Sequence, residues 1–200
     1  DTETLTYLHS TISTNRHRVR VPEVPMHLDA LLADQPLTGG LEPRLGDKHL
    51  RVLTIIGFPT ATTPGLLDEM NRLAFPYRWS TRAILMDKTD ATKLLTKIRR
   101  QWFAKRKSIA AILKEVMTNE QSALVDTDAS NKALDADMAL QELGADVAGM
   151  AYVTATVTVW DADPRIADEK LRLVEKIIQG RDFTAMPETV NAIDAWLGSI

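Results

Sequence analysis

Residues 152–160 read YVTATVTVW, and their alternation decides what kind of sheet the chain builds. Successive side chains of an extended strand point to opposite faces. Val153, Ala155, Val157 and Val159 therefore share one face, and Tyr152, Thr154, Thr156, Thr158 and Trp160 the other. A parallel strand buried on both sides reads as an unbroken aliphatic run, and this stretch does not. The pattern predicts a strand with one face on helices and the other polar, which favours an α+β fold over a doubly wound α/β sheet.

Downstream, Asp163-Pro164 pairs a helix-capping residue with a proline at the first helical position. The helix that follows would bury Ala167, Leu171, Val174, Ile177 and Ile178 and stop at Gly180, ahead of a short strand, Asp182–Met186, and a last helix, Pro187–Leu197. Upstream, LEPRLGDKHLRVLTIIGF (41–58) predicts a hairpin turning at Gly46-Asp47, with Leu50–Gly57 as its strand. Thr63-Pro64 predicts a helix to Ala74 that buries Leu66, Leu67, Met70, Leu73 and Ala74, ended by Pro76, and Trp79–Asp87 reads as the next strand. Before the hairpin, 2–13 and 26–34 read as short helices, 16–25 as extended chain and 35–40 as a loop.

The order is β-α-β, an insert, then β-α-β, which predicts a ferredoxin-like split β-α-β sheet with its first and third strands central. The segments are a lead-in with one hairpin arm (1–47), a first half (48–88), the insert (89–146), a second half (147–186) and a C-terminal helix (187–200). The insert, between the second and third strands, is two helix-forming stretches of opposite charge. Residues 90–117 carry eight Lys/Arg against two acids, a net +6, and residues 118–146 carry seven acids against Lys132, a net −6. This predicts a helical hairpin held partly by charge complementarity.

Composition excludes several functions. A net charge of −3 argues against the whole chain being a nucleic-acid binder, although its charge is segregated enough for a local basic patch. The absence of cysteine excludes disulfides and thiolate-bound zinc, and points to a reducing compartment. Apolar runs such as VLTIIGF (52–58) fall well short of the ~20 residues of a membrane-spanning helix. No Gly-Lys pair occurs, so a phosphate-cradling nucleotide loop is missing, and the turn at Gly57–Gly65 is expected to be a capped turn rather than an anion site. His9, His17, His27 and His49 never fall at ligand spacing, and Asp163 is accounted for as a helix cap.

No catalytic, cofactor-binding or metal-binding residue is therefore assigned. The basic run 93–107 remains, with Lys97, Arg99, Arg100, Trp102, Lys105, Arg106 and Lys107 as interaction candidates. Basic residues interleaved with an aromatic suit a nucleic-acid backbone and a stacked base, but the acidic partner helix would neutralise much of that field. A protein-docking surface is the favoured reading, with the Thr154, Thr156 and Thr158 strand face as a second candidate.

Several stretches resemble the TrbE-type conjugal transfer ATPases of the CagE/TrbE/VirB family of type IV secretion proteins. They are ETLTYLHSTIS (3–13), MHLDALLADQPLTGGLEPRLGD (26–47), GLLDEMNRLAFPYRWSTRAILMDK (65–88), KIRRQWFAKRKSIAAILKE (97–115), AYVTATVTVWD (151–161) and NAIDAWLGSI (191–200). The resemblance implies the central region of a larger subunit, ahead of an ATPase domain that holds ATP and Mg. It implies no catalytic residue within these positions, and it places the parent at the cytoplasmic face of a bacterial inner membrane. Expected partners are other secretion or conjugation subunits, the parent's own ATPase domain and further copies of itself, with transferred DNA as the alternative. The chain begins at Asp1 without methionine and ends just after a helix-like segment, which predicts a piece of a longer protein.

Overall fold

A computed structural model describes the backbone of residues 1–59, 61–116 and 127–200, and the side chains of 1–59, 61–102 and 131–200. Two compact units emerge, Asp1–Arg82 with Val153–Ile200, and Ala83–Tyr152.

The first unit is built on two long antiparallel strands, β3 (Lys48–Gly57) and β5 (Ala151–Asp161). Their register sets Arg51 opposite Val159, Leu53 opposite Val157 and Ile55 opposite Ala155. On the other edge of β3 lie β2 (Arg44–Leu45), its hairpin partner, and β6 (Thr184–Pro187). β1 (Leu37–Thr38) extends the hairpin, and β4 (Tyr77–Leu85) flanks β5. The whole is a mixed α/β arrangement around an antiparallel sheet. The hairpin turns at Gly46, whose φ of +61° suits glycine, and an added Cβ would lie 2.8 Å from the Gln35 side chain.

Helix α5 (Pro164–Gln179) covers one face of the sheet. Its Leu171, Val174 and Ile178 pack with Leu53, Ile55, Val157 and Val159. The helix starts as its sequence demands: the Asp163 side chain accepts from the Arg165 amide at 2.8 Å, and Pro164 occupies the first turn. Helix α6 (Ala192–Leu197) sets Trp196 against Leu45, Leu50 and Val52, with Trp160 alongside. Leu50, Val52 and Trp160 share the face opposite α5, so the sheet has apolar cover on both sides at this end.

That second layer corrects one expectation. Thr156 and Thr158 do lie on the face away from Val157, but they are 4% and 1% exposed. Register places Thr158 opposite Val52 and Thr156 opposite Thr54, within the covered region. Only Thr154, toward the strand's start, is exposed. Alternation of residue type revealed which way the side chains point, not which face meets water.

The segment 63–74 also departs from expectation. It is a run of turns and a 3-10 helix, Asp68–Arg72, rather than an α-helix. Its bonds join residues three apart: Leu66 to Thr63, Asp68 to Gly65, Met70 to Leu67 and Leu73 to Met70. Gly65 at φ +80° cannot continue an α-helix. Met70 is buried, and Leu66, Leu67 and Leu73 are partly buried against the same core, so the apolar spacing is met by tighter winding.

Three boundaries shift. Pro187 belongs to β6, paired with Leu53, and the last helix begins only at Ala192. Gly180 has φ −65°, and the left-handed residue after α5 is Asp182 at +63°. Residues 16–25 form no strand, yet Val19 is buried in a small cluster with Leu5 of α1 (Thr2–Ile12) and Leu32 of α2 (Leu28–Leu32).

The second unit pairs α3 (Lys88–Val116) with α4 (Thr127–Gly144). Ala91, Leu95 and Leu143 form its buried seam, with Met86, Ala139, Leu140 and Met150 packed around them. The connection 117–126 lies outside the described residues. No described helix is long and apolar enough to cross a membrane.

Candidate functional site

The basic helix α3 presents two different faces. Ala91, Leu95, Arg99 and Trp102 recur at helical spacing on the side that meets α4. There Arg99 Nε approaches Asp137 Oδ1 at 2.8 Å, and Lys132 Nζ lies 4.6 Å from the Trp102 ring centre. At the far end Lys88 Nζ reaches Asp146 Oδ1 at 2.6 Å and donates to the Gly144 carbonyl at 3.2 Å. Cations at that end meet the partial negative charge of the α4 C-terminus. The Arg99 and Asp137 side chains are 44% and 32% exposed, so their pair contributes no more than about 1 kcal/mol, and the apolar seam holds the helices together.

Lys93, Lys97 and Arg100 follow the i, i+4, i+7 row on the other side of α3, and all three are exposed. Thr92, Thr96 and Gln101 complete this face, and Lys93 also reaches Asp90 at 3.1 Å. Among the interaction candidates, then, Arg99 and Trp102 face α4, whereas Lys97 and Arg100 face outward. Lys105, Arg106 and Lys107 are carried by the same helix, but their side chains lie outside the described residues.

The acids at the end of β5 have local partners. Asp163 caps α5, and Asp161 Oδ2 accepts from Lys170 Nζ at 2.6 Å while its Oδ1 accepts from the Asp163 amide at 3.0 Å. Lys170, followed by the Asp163 amide, holds the Asp161 carboxyl below the usual carboxylate range. A carboxyl lowered on folding stabilises the fold above its ordinary pKa, and that contribution disappears as pH falls through the lowered value. The advantage of wild type over Asp161→Asn in urea unfolding should be full at pH 7 and shrink below about pH 4, where carboxyls begin to protonate. An advantage independent of pH would place the effect in packing.

The turn after Gly57 meets no α-helix, so it offers no helix N-terminus to an anion. Two features here had no sequence signal. Arg78 is largely buried, donates from Nη2 to Ser199 Oγ at 2.9 Å and sits 5.5 Å from the Trp196 ring centre. Desolvation lowers the pKa of its guanidinium. The other feature joins three segments distant in sequence: His9, His17 and Asp34 meet beside a cavity of about 850 Å3, which Arg78 also lines. Burial acts to raise the Asp34 carboxyl, but His9, Ser13 and Asn15 outweigh it and hold it below the usual range.

No family model matches the chain. It is similar to a probable conjugal transfer protein TrbE of Sinorhizobium fredii (strain NBRC 101917 / NGR234), at 30% identity over 198 residues, which is 99% of this chain and 29% of that protein. It is also similar to the conjugal transfer protein TrbE of Rhizobium radiobacter, at 30% identity over 198 residues, covering 99% of this chain and 24% of that protein. The chain thus spans less than a third of either relative.

Proposed function

We propose that this chain, a TrbE-type segment related to conjugal transfer proteins along its whole length, is a non-catalytic docking module of a conjugation or type IV secretion ATPase. One observation carries the reading: α3 sets Arg99 and Trp102 against α4 and keeps Lys93, Lys97 and Arg100 exposed on its other side. A hairpin whose seam is apolar needs no such row for its own stability. The row is available to an acidic surface on another subunit or on the parent protein itself.

In this reading ATP and Mg belong to a separate ATPase domain of the parent, and the module joins that motor to a complex at the cytoplasmic face of the inner membrane. Its partners are other conjugation subunits and further copies of the same protein. The sheet fits the ferredoxin-like split β-α-β plan: β3 and β5 are central, β6 and β4 flank them, and the unit Ala83–Tyr152 is inserted between the second and third of these four strands. The first crossover of that plan is the 3-10 segment rather than an α-helix.

The alternative assigns the outward row to transferred DNA, and two assays on the isolated chain separate the readings. Docking predicts no ATP turnover above a buffer control and no shift of labelled single-stranded DNA at low micromolar protein. A shift that weakens steeply with salt and disappears with Lys97→Glu and Arg100→Glu would assign the row to DNA.

A further inference from the structure

We infer that His9, His17 and Asp34 form a binding site for a divalent transition-metal ion of the zinc class. The inference is independent of the docking reading. The three side chains come from α1, from the extended segment after it and from the turn after α2, and each offers a ligand atom within 4.8 Å of the other two.

The distances suit a shared centre. His9 Nε2 lies 3.2 Å from Asp34 Oδ2, and His17 Nδ1 lies 3.9 Å from the same oxygen. Zinc bonds of about 2.0–2.2 Å in a tetrahedron place neighbouring ligand atoms about 3.3–3.5 Å apart. The first pair matches, and the second closes with a small turn of the exposed His17 ring.

His9 supplies the second argument. It is completely buried, and neither of its ring nitrogens makes a hydrogen bond among the described residues. His9 Nε2 and Asp34 Oδ2 are therefore close without being aligned as donor and acceptor. Two ligands with lone pairs aimed at one ion adopt that relation, whereas a hydrogen-bonded pair does not. A buried imidazole without partners costs free energy that coordination would recover.

The donor set selects the metal class. Two imidazoles and one carboxylate suit zinc, and also cobalt or nickel, better than magnesium or calcium, which take oxygen ligands. Asn15 Nδ2 approaches Asp34 Oδ2 at 3.4 Å, which helps to orient the carboxylate. His17 also lines the cavity, which gives the ion an entry path and room for a water as fourth ligand. A bound ion would tie three segments whose own apolar cluster is small: Leu5, Val19 and Leu32 with Ile12 and Leu31. The site would thus be structural rather than catalytic.

The test uses the 200-residue chain, stripped with a chelator and titrated at pH 7.5 with Zn2+ and with Co2+. We expect one ion per chain, a visible cobalt spectrum of tetrahedral type and a thermal midpoint that rises with zinc. His17→Ala removes an exposed side chain and leaves the buried His9 in place, so the variant should fold. Its zinc affinity should fall by at least about tenfold, the scale on which even outer-shell partners act, and its midpoint should no longer respond to zinc. His27→Ala should bind as wild type does. No saturable binding below about 100 μM zinc, far weaker than structural zinc sites, would overturn the inference. Binding that His17→Ala and Asp34→Asn leave unchanged would overturn it as well.

Discussion

Leu53→Ala should lower the stability of the chain by about 2–5 kcal/mol, the cost of deleting a well-packed leucine from a core. Leu53 is fully buried at the centre of β3, opposite Val157 on one neighbouring strand and Pro187 on the other. Leu171, Val174 and Ile178 of α5 belong to the same cluster, so the cavity would have rigid walls on several sides and would not collapse. Chemical denaturation followed by circular dichroism measures the change. A loss below about 1 kcal/mol, in the range of ordinary surface substitutions, would mean that β3 and β5 do not form the centre of the fold.

The second large effect concerns function rather than stability. Reversing Lys93, Lys97 and Arg100 to glutamate replaces three outward cations with three anions on one helix face. Exposed substitutions away from the seam usually change stability by no more than about 0.5 kcal/mol each. Buried Leu95 and Leu143, which hold α3 to α4, are untouched. Like charges opposed across an interface cost several kcal/mol, and each 1.4 kcal/mol is tenfold in affinity. The full-length protein carrying the three reversals should accumulate normally and fail to support assembly. Arg99→Ala is the useful contrast, because it removes a cation that already faces Asp137 and should have little effect on assembly.

Much of this architecture could be read from residue order, for physical reasons that vary by segment. The YVTATVTVW alternation and the Asp163-Pro164 pair each state a local rule, and the strand and the capped helix follow it. Complementary charges on 90–117 and 118–146 anticipated two packed helices. The stretch 63–74 misled because its apolar spacing serves a 3-10 helix as well as an α-helix, and Gly65 decided between them through a backbone angle that spacing does not encode.

The sites were harder to read than the fold. Thr156 and Thr158 are polar and yet buried, because the register with β3 and the packing of Trp196 reach that face from elsewhere in the chain. Which cations of α3 face outward depends on where α4 lies, although the Ala91–Leu95 spacing held some of the answer. His9, His17 and Asp34 lie far apart in sequence at no ligand spacing, so only the tertiary fold brings them together.

The central claim is that the outward face of α3 docks the parent protein within a conjugation complex. Its most direct test is the frequency of DNA transfer from donors whose full-length protein carries Lys93→Glu, Lys97→Glu and Arg100→Glu at matched protein levels. A loss of tenfold or more, the equivalent of about 1.4 kcal/mol of docking free energy, is the predicted result. Transfer at the wild-type frequency would contradict the account.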